Sequence, residues 1–284
     1  MADLKVKKIQ EWLNFTYAGN QGWVHVDEDG ITGGGTVAGL IRGLQHELNL
    51  SMDGVFGENT KNAFDNMFPS GLNNESNPTE DSKKRIIYIL RGGMYCRGID
   101  GGNIDYGVVN NFDDILKNGI KEMKTQLGIE NPDESTKGVE MKAVLTTDAY
   151  ILVENGDSEI RKIQQSLNRK YLEQLGSYLA TNGLYERNTN IALRKAVQVE
   201  IGVEADGMWG NATKKALPTL SRGSSRKDLV YLLQYLLYVN GYDPNGFDGG
   251  FGGGVENAVL RVQAMYRLGQ DGICRKTNMV CTSS

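Results

Sequence analysis

Apolar positions in this chain recur at helical spacing and are cut at short intervals by glycine-rich polar turns. Val6, Ile9, Trp12 and Leu13 share one face of a predicted helix over Val6–Asn14. A loop follows through Gly22-Trp23 to Asp27-Glu28-Asp29-Gly30, and Gly33-Gly34-Gly35-Thr36 opens a second helix. Its Val37, Leu40, Ile41, Leu44 and Leu48 form the regular stripe that a helix lays against a core. The stretch Asp53–Thr60 reads as a turn at Gly54, an apolar plug at Phe56 and a helix start at Gly57-Glu58. An acidic side chain there suits the positive end of the helix dipole. A short helix near Lys61–Phe68 completes the unit, and residues 69–83 form a polar linker. Beyond it a helix begins near Lys84 with Ile86, Ile87, Ile89 and Leu90, a loop runs from Gly98 to Asp105, and another helix covers Ile115–Leu127. Val139–Val153 fits a helix or an extended segment equally well.

The second half repeats this pattern. Ile160–Asn168 repeats Val6–Asn14, Asn182–Thr189 repeats Asp29–Thr36, Leu193–Ile201 repeats Leu40–Leu48, and Asp206–Thr213 repeats Asp53–Thr60. Leu229–Asp248 aligns without a gap on Ile86–Asp105, and a shortened turn, Asp271–Thr277, ends the last copy. The expected fold is all-α: four tandem three-helix modules in an A-B-A-B duplication, at residues 1–68, 84–153, 157–220 and 226–284. A unit of about 60 residues is marginal alone, so neighbouring modules should pack together.

The Leu44-Gln45 and Leu233-Gln234 helices, the Asp53–Thr60 and Asp248–Gly252 turns, and the Ala63-Phe64 and Ala258-Val259 helix starts together resemble the peptidoglycan-binding domain 1 family. The resemblance covers nearly the whole chain. It is weakest in the second module, where Asp105–Phe112 has lost the Gly-Phe-Gly and the Thr. The four-module arrangement also looks like the N-terminal region of bacterial wall proteins that continue into a glycoside-hydrolase-like barrel of the DUF1906 type. Such a barrel needs about 200 residues or more, which the modules leave no room for here. The resemblance implies non-catalytic binding of peptidoglycan, glycan and stem peptide alike, with a C-terminal hydrolase domain as a further partner. Backbone N–H groups at the Gly-rich turns would then bind carboxylates, aromatics would stack on sugars, and several weak sites would gain avidity on a repetitive polymer. A protein–protein scaffold without a glycan ligand is the alternative.

Composition narrows the choice. The net charge is −4 and no long Lys/Arg run occurs, which argues against nucleic acid held mainly by charge. No apolar run approaches the roughly 20 residues of a membrane helix, and Met1–Lys5 lacks the apolar core of a signal peptide. The expectation is cytoplasmic synthesis with action at the wall after release. Three cysteines without CxxC spacing fit reduced thiols, and two unpaired histidines, His25 and His46, give no metal site. No cofactor is expected. The paired aspartates Asp27/Asp29, Asp100/Asp105 and Asp243/Asp248 lack the ligand series of a calcium loop and read as turn caps. There is no nucleophile elbow, HExxH or P-loop, and so no catalytic residue is assigned.

The ligand-binding candidates are Trp23, Phe56, Tyr185, Trp209 and Phe251. Phe56, Trp209 and Phe251 share one slot of the motif, where an aromatic serves as a core plug or as a sugar platform. Trp23, Tyr185 and Tyr106 sit in or near loops, free of helical periodicity. Gln45, Gln198, Gln234 and Gln263 recur beside apolar positions, either as buried amides capping a turn or as hydrogen-bonding groups for a stem peptide.

Overall fold

The computed structural model describes residues 2–73, 81–105, 112–147 and 149–281. Among them are twelve α-helices and no strand. The chain divides into two compact units, Met1–Ile151 and Leu152–Ser284. The first holds α1 (Leu4–Tyr17), α2 (Gly34–Glu47), α3 (Glu58–Met67), α4 (Asp81–Tyr95), α5 (Asp114–Gln126) and α6 (Gly138–Thr146). The second holds α7 (Ser158–Leu175), α8 (Arg187–Glu200), α9 (Asn211–Ala216), α10 (Lys227–Val239), α11 (Gly253–Met265) and α12 (Lys276–Cys281).

Local chemistry sets the helix starts. Asp3 Oδ1 accepts from the N–H groups of Lys5 and Val6 at 2.7 and 3.3 Å, and Asp157 Oδ1 accepts from Glu159 and Ile160 at 2.7 and 3.1 Å. Each cap occupies donors that the first helical turn leaves without a partner. The ambiguous stretch 139–153 is helical from Gly138 to Thr146. Helix α4 starts at Asp81, inside the predicted linker. Tyr106 lies outside the described residues.

Packing explains why there are two units. In the first, α4 packs on both α1 and α2, and Ile9, Leu13, Leu40, Leu44, Ile86, Ile89 and Leu90 are all buried. Two glycines make the close approach: a Cβ at Gly92 would stand 2.9 Å from Ile9 Cγ2, and one at Gly93 2.4 Å from Val144 Cγ1. Glycine inside a helix costs about 1 kcal/mol relative to alanine, offset here by the packing it permits. In the second unit α10 packs on α8, and one apolar cluster runs from Ile163 and Leu167 through Leu193 and Leu233 to Val259. Three short helices bury too little apolar surface alone, and in the second unit one apolar cluster draws on residues from Ile163 to Met279. An isolated bridge pairs Leu72 with Thr136 in the first unit, and another pairs Leu220 with Cys274 in the second.

Candidate functional site

The recurring Asx-Gly turns are built around buried glutamines. Gln198 is 1% exposed. Its Nε2 donates to Asp206 Oδ1 at 2.6 Å, to the Met208 carbonyl at 2.9 Å and to Thr213 Oγ1 at 3.1 Å. Its Oε1 accepts from Gly207 N–H at 2.7 Å, and Asp206 Oδ1 also accepts from Met208 N–H at 2.8 Å. Gln10, Gln45, Gln164, Gln234 and Gln263 hold the turns at Asp29, Asp53, Asn182, Asp248 and Asp271 in the same way. Each glutamine ties a helix to the turn behind it and satisfies groups that would otherwise be buried without partners.

The second half of the first unit replaces this clamp with ions. Arg91, which the repeat aligns with Gln234, is fully buried; it donates to the Gly101 carbonyl and, at 2.9 Å, to Asp113 Oδ2. Lys124 donates to Asp133 Oδ1 at 2.5 Å and to the Ser135 carbonyl at 2.7 Å.

The clamp changes the chemistry expected of the turns. The N–H of each turn glycine is already donated to a glutamine, and the next N–H to the Asx side chain. These turn amides are therefore spent within the protein and drop out of the expected carboxylate cradle, while the helix starts at Gly57, Gly210 and Gly252 carry no side-chain cap. The same donors hold the turn carboxyls in their charged form. Asp29, Asp53 and Asp206 lie below the ordinary carboxylate range, first because of the backbone N–H two residues on and then because of the glutamine. Asp271, which Arg275 also approaches, is held down to about 2.

The predicted ligand residues fall into different settings. Phe56 and Phe251 are 5% and 4% exposed and pack in the core, a position from which a ring meets helices rather than a sugar. Trp23 is half-buried in the first unit, its ring centroid 5.5 Å from that of Tyr17. Trp209 is half-buried against the core of the second unit. The indole Nε1 of both tryptophans is enclosed without a hydrogen-bond partner. Tyr185 lines a cleft of about 500 Å³ with Arg187, Asn190, Arg194, Asp206 and Met208. Its hydroxyl accepts from Asn190 Nδ2 at 2.5 Å, and burial raises its pKa. Met208, 63% exposed, brings the turn beside Trp209 to the rim of this cleft.

Sequence reasoning missed the clamp roles of Gln10, Gln164, Arg91 and Lys124, although the repeat alignment places the first three at equivalent helix positions. It also missed two grooves. One, of about 640 Å³, lies between α7 and α10; the other, of about 380 Å³, lies between α1 and α4. Among the described residues, no group of three His, Cys, Asp or Glu is placed to hold a metal ion. No described helix is long and apolar enough to cross a membrane. Cys96 and Cys274 are free thiols.

The clamp and clefts of the second unit coincide with what known families cover. Residues 226–274 match the family model described as "Putative peptidoglycan binding domain". Residues 153–234 match a second model, "FadG/YbfG, PGDB-like domain". Among curated proteins, the chain is 39% identical to "Uncharacterized protein YbfG" of Bacillus subtilis (strain 168), over 96% of this chain and 36% of that protein. It is 34% identical to "Uncharacterized protein FadG" of the same organism, over 95% of this chain and 46% of that protein. The chain therefore spans less than half the length of either relative. A shorter stretch, 28% of this chain, is 32% identical to 29% of a "Probable N-acetylmuramoyl-L-alanine amidase" of Bacillus licheniformis. No solved structure is significantly similar to this chain.

Proposed function

We propose that this chain binds bacterial cell-wall peptidoglycan without cleaving it and holds an attached or associated hydrolase on the wall. The observation that carries the reading is the peptidoglycan-binding family match over residues 226–274. The similarity to an amidase supports a hydrolase-associated role. The greater length of the two Bacillus subtilis relatives leaves room for such a domain, for which a glycoside-hydrolase-like barrel is the candidate that the sequence resemblance names. On this reading the four modules at 1–68, 84–153, 157–220 and 226–284 act as a tandem array, made in the cytoplasm and reaching the wall after release.

The Tyr185 cleft provides one contact surface. It sets an aromatic ring beside Arg187, Arg194 and the exposed Met208, so a sugar face and an acidic group can be held together. Trp23 and Trp209 contribute ring edges, because their N–H groups are turned inward. Weak single sites gain avidity when several engage one polymer. The strongly shifted titratable groups have structural partners: Tyr17 and Tyr171 donate to Glu47 and Glu200, and Asp271 sits in its turn. Cys274 is enclosed, its thiol pushed up to about 12 by burial.

Co-sedimentation with washed sacculi tests the reading. The chain should pellet with them and release no soluble fragments. A chain that stays in the supernatant where a known wall binder pellets refutes binding, and released muropeptides refute the non-catalytic role.

A further inference from the structure

The larger groove of the second unit has a chemistry unlike the rest of the surface. One wall is α7, with Lys162, Arg169 and Lys170; the other is α10 and the loop after it, with Tyr231, Tyr235 and Phe247. The first wall lies within the segment that matches the PGDB-like model, and Tyr235 and Phe247 lie within the segment that matches the peptidoglycan-binding model. The groove thus takes residues from both matched regions, which overlap at residues 226–234.

The aromatic wall is fixed. Tyr235 donates to Ser166 Oγ at 3.0 Å across the groove, and its ring meets Phe247 edge-on with centroids 5.0 Å apart. Tyr231 and Phe247 are half-buried, with ring surface left to the groove. The opposite wall is cationic. Lys170 is ion-paired with Asp228 at 2.5 Å and with Glu200 at 3.5 Å, while Lys162 reaches Glu159, one turn back along its own helix. Lys162, Arg169 and Lys170 thus line the groove as a row of cations, and the pairs of Lys162 and Lys170 with Glu159, Asp228 and Glu200 are partly exposed and therefore weak, so a ligand carboxylate can exchange with them.

The α1–α4 groove is built at the corresponding helix pair. There Lys8, Tyr88 and Ile104 stand where the repeat puts Lys162, Tyr231 and Phe247. Phe15 and Thr16 occupy the positions of Arg169 and Lys170, so that groove lacks two of the three cations.

We propose that the α7–α10 groove is the binding site for a peptidoglycan fragment consisting of a sugar that bears an acidic stem peptide. The Tyr231 and Phe247 rings cover a sugar face, and Lys162, Arg169 and Lys170 hold the stem carboxylates in charge-assisted hydrogen bonds. The proposal rests on the wall-binding reading above and adds to it the site and the ligand's acidic half.

The test uses the full chain and a soluble disaccharide-peptide fragment with free stem carboxylates, with affinity read by titration calorimetry. Charge reversal at exposed positions, Lys162→Glu with Arg169→Glu, should raise Kd at least roughly tenfold with unchanged circular dichroism, as expected when charge-assisted contacts are lost. Lys214→Glu with Lys215→Glu, the same charge change on α9, should leave Kd within about twofold of the parent. A fragment with amidated stem carboxylates should bind the parent as weakly as the free-acid fragment binds the reversed variant. If the parent binds and the groove variant binds equally well, the groove assignment is wrong and the wall-binding reading stands. An oligonucleotide of equal charge that binds as tightly as the fragment also overturns it. If the parent binds neither the fragment nor sacculi, the functional reading itself fails and the groove assignment falls with it.

Discussion

Replacing Gln198 with leucine keeps most of the side-chain volume and removes all four clamp bonds. Asp206 and Met208 are exposed and can turn to water, but Gly207 N–H and the Thr213 hydroxyl are buried. Gly207 N–H loses its acceptor at 2.7 Å, and Thr213 Oγ1 loses a donor at 3.1 Å while still donating to the Met208 carbonyl at 3.3 Å. Leaving Gly207 N–H without a partner costs about 1–3 kcal/mol, the lost bond to Thr213 adds about 1 and the added apolar burial offsets roughly 1, so the net loss should be about 1–3 kcal/mol. In a unit of this size each kcal/mol lowers Tm by roughly 3–5 °C, which predicts a fall of about 3–15 °C. Urea unfolding followed by circular dichroism measures the loss, and amide hydrogen exchange at Gly207 reports the clamp directly. A loss below about 0.5 kcal/mol, the usual scatter of surface substitutions, with Gly207 still protected would refute the claim that the glutamine holds the turn.

Other outcomes follow from the same geometry. The turn aspartates have folded pKa values below the ordinary carboxylate value of about 3.9, so their stabilisation is complete above that value and is lost as pH falls through the folded value. Asn182 performs the same role without a titrating proton, so Asp53→Asn, Asp206→Asn and Asp248→Asn together should preserve stability at pH 7 and flatten the acid limb below about pH 4. An acid limb as steep as the parent's contradicts this. Gly183→Ala places a Cβ 2.6 Å from the Asp157 carbonyl at φ +78° and should cost about 1–3 kcal/mol in urea unfolding; Gly202→Ala, with φ +72° and open space around it, should cost only about 1. Arg91→Met removes the bonds to Gly101 and Asp113 and should destabilise the chain by about 3 kcal/mol, whereas Arg222→Ala, which breaks an exposed pair with Glu256, should cost less than about 1.

The helices were legible because their apolar faces are regular and their breaks are punctuated by Asx-Gly turns that only a few residue types can make. Leu40, Ile41 and Leu44 lie in the core as their spacing requires, and Trp12 is buried between Tyr17 and Tyr88. The α6 segment was ambiguous because Val139–Leu145 has apolar residues without a strong face; its helix is fixed by Glu140, which accepts from Lys137 N–H, and by Asp65, which accepts from Gly138 N–H at 2.7 Å. The clamp was half legible: glutamines beside apolar residues signalled buried amides, but Arg91 and Lys124 look like surface charges until the turns they serve are placed. The grooves were not legible, because Tyr231 and Lys162 come together only through the packing of α10 on the helices before it, which no single-module pattern encodes. Phe56, Trp209 and Phe251 share one motif slot, yet the phenylalanines are core and the tryptophan is half-buried. A large indole is less often fully enclosed than a phenyl ring, and Trp209 follows that tendency.

The central claim is that this chain recognises peptidoglycan and leaves it intact. The most direct measurement is a depletion isotherm on washed sacculi with soluble disaccharide-peptide fragments as competitor. Saturable binding, displacement by the fragments and no release of new fragments from the wall are expected. Binding that the fragments fail to displace, or a chain that never leaves the supernatant, would contradict it.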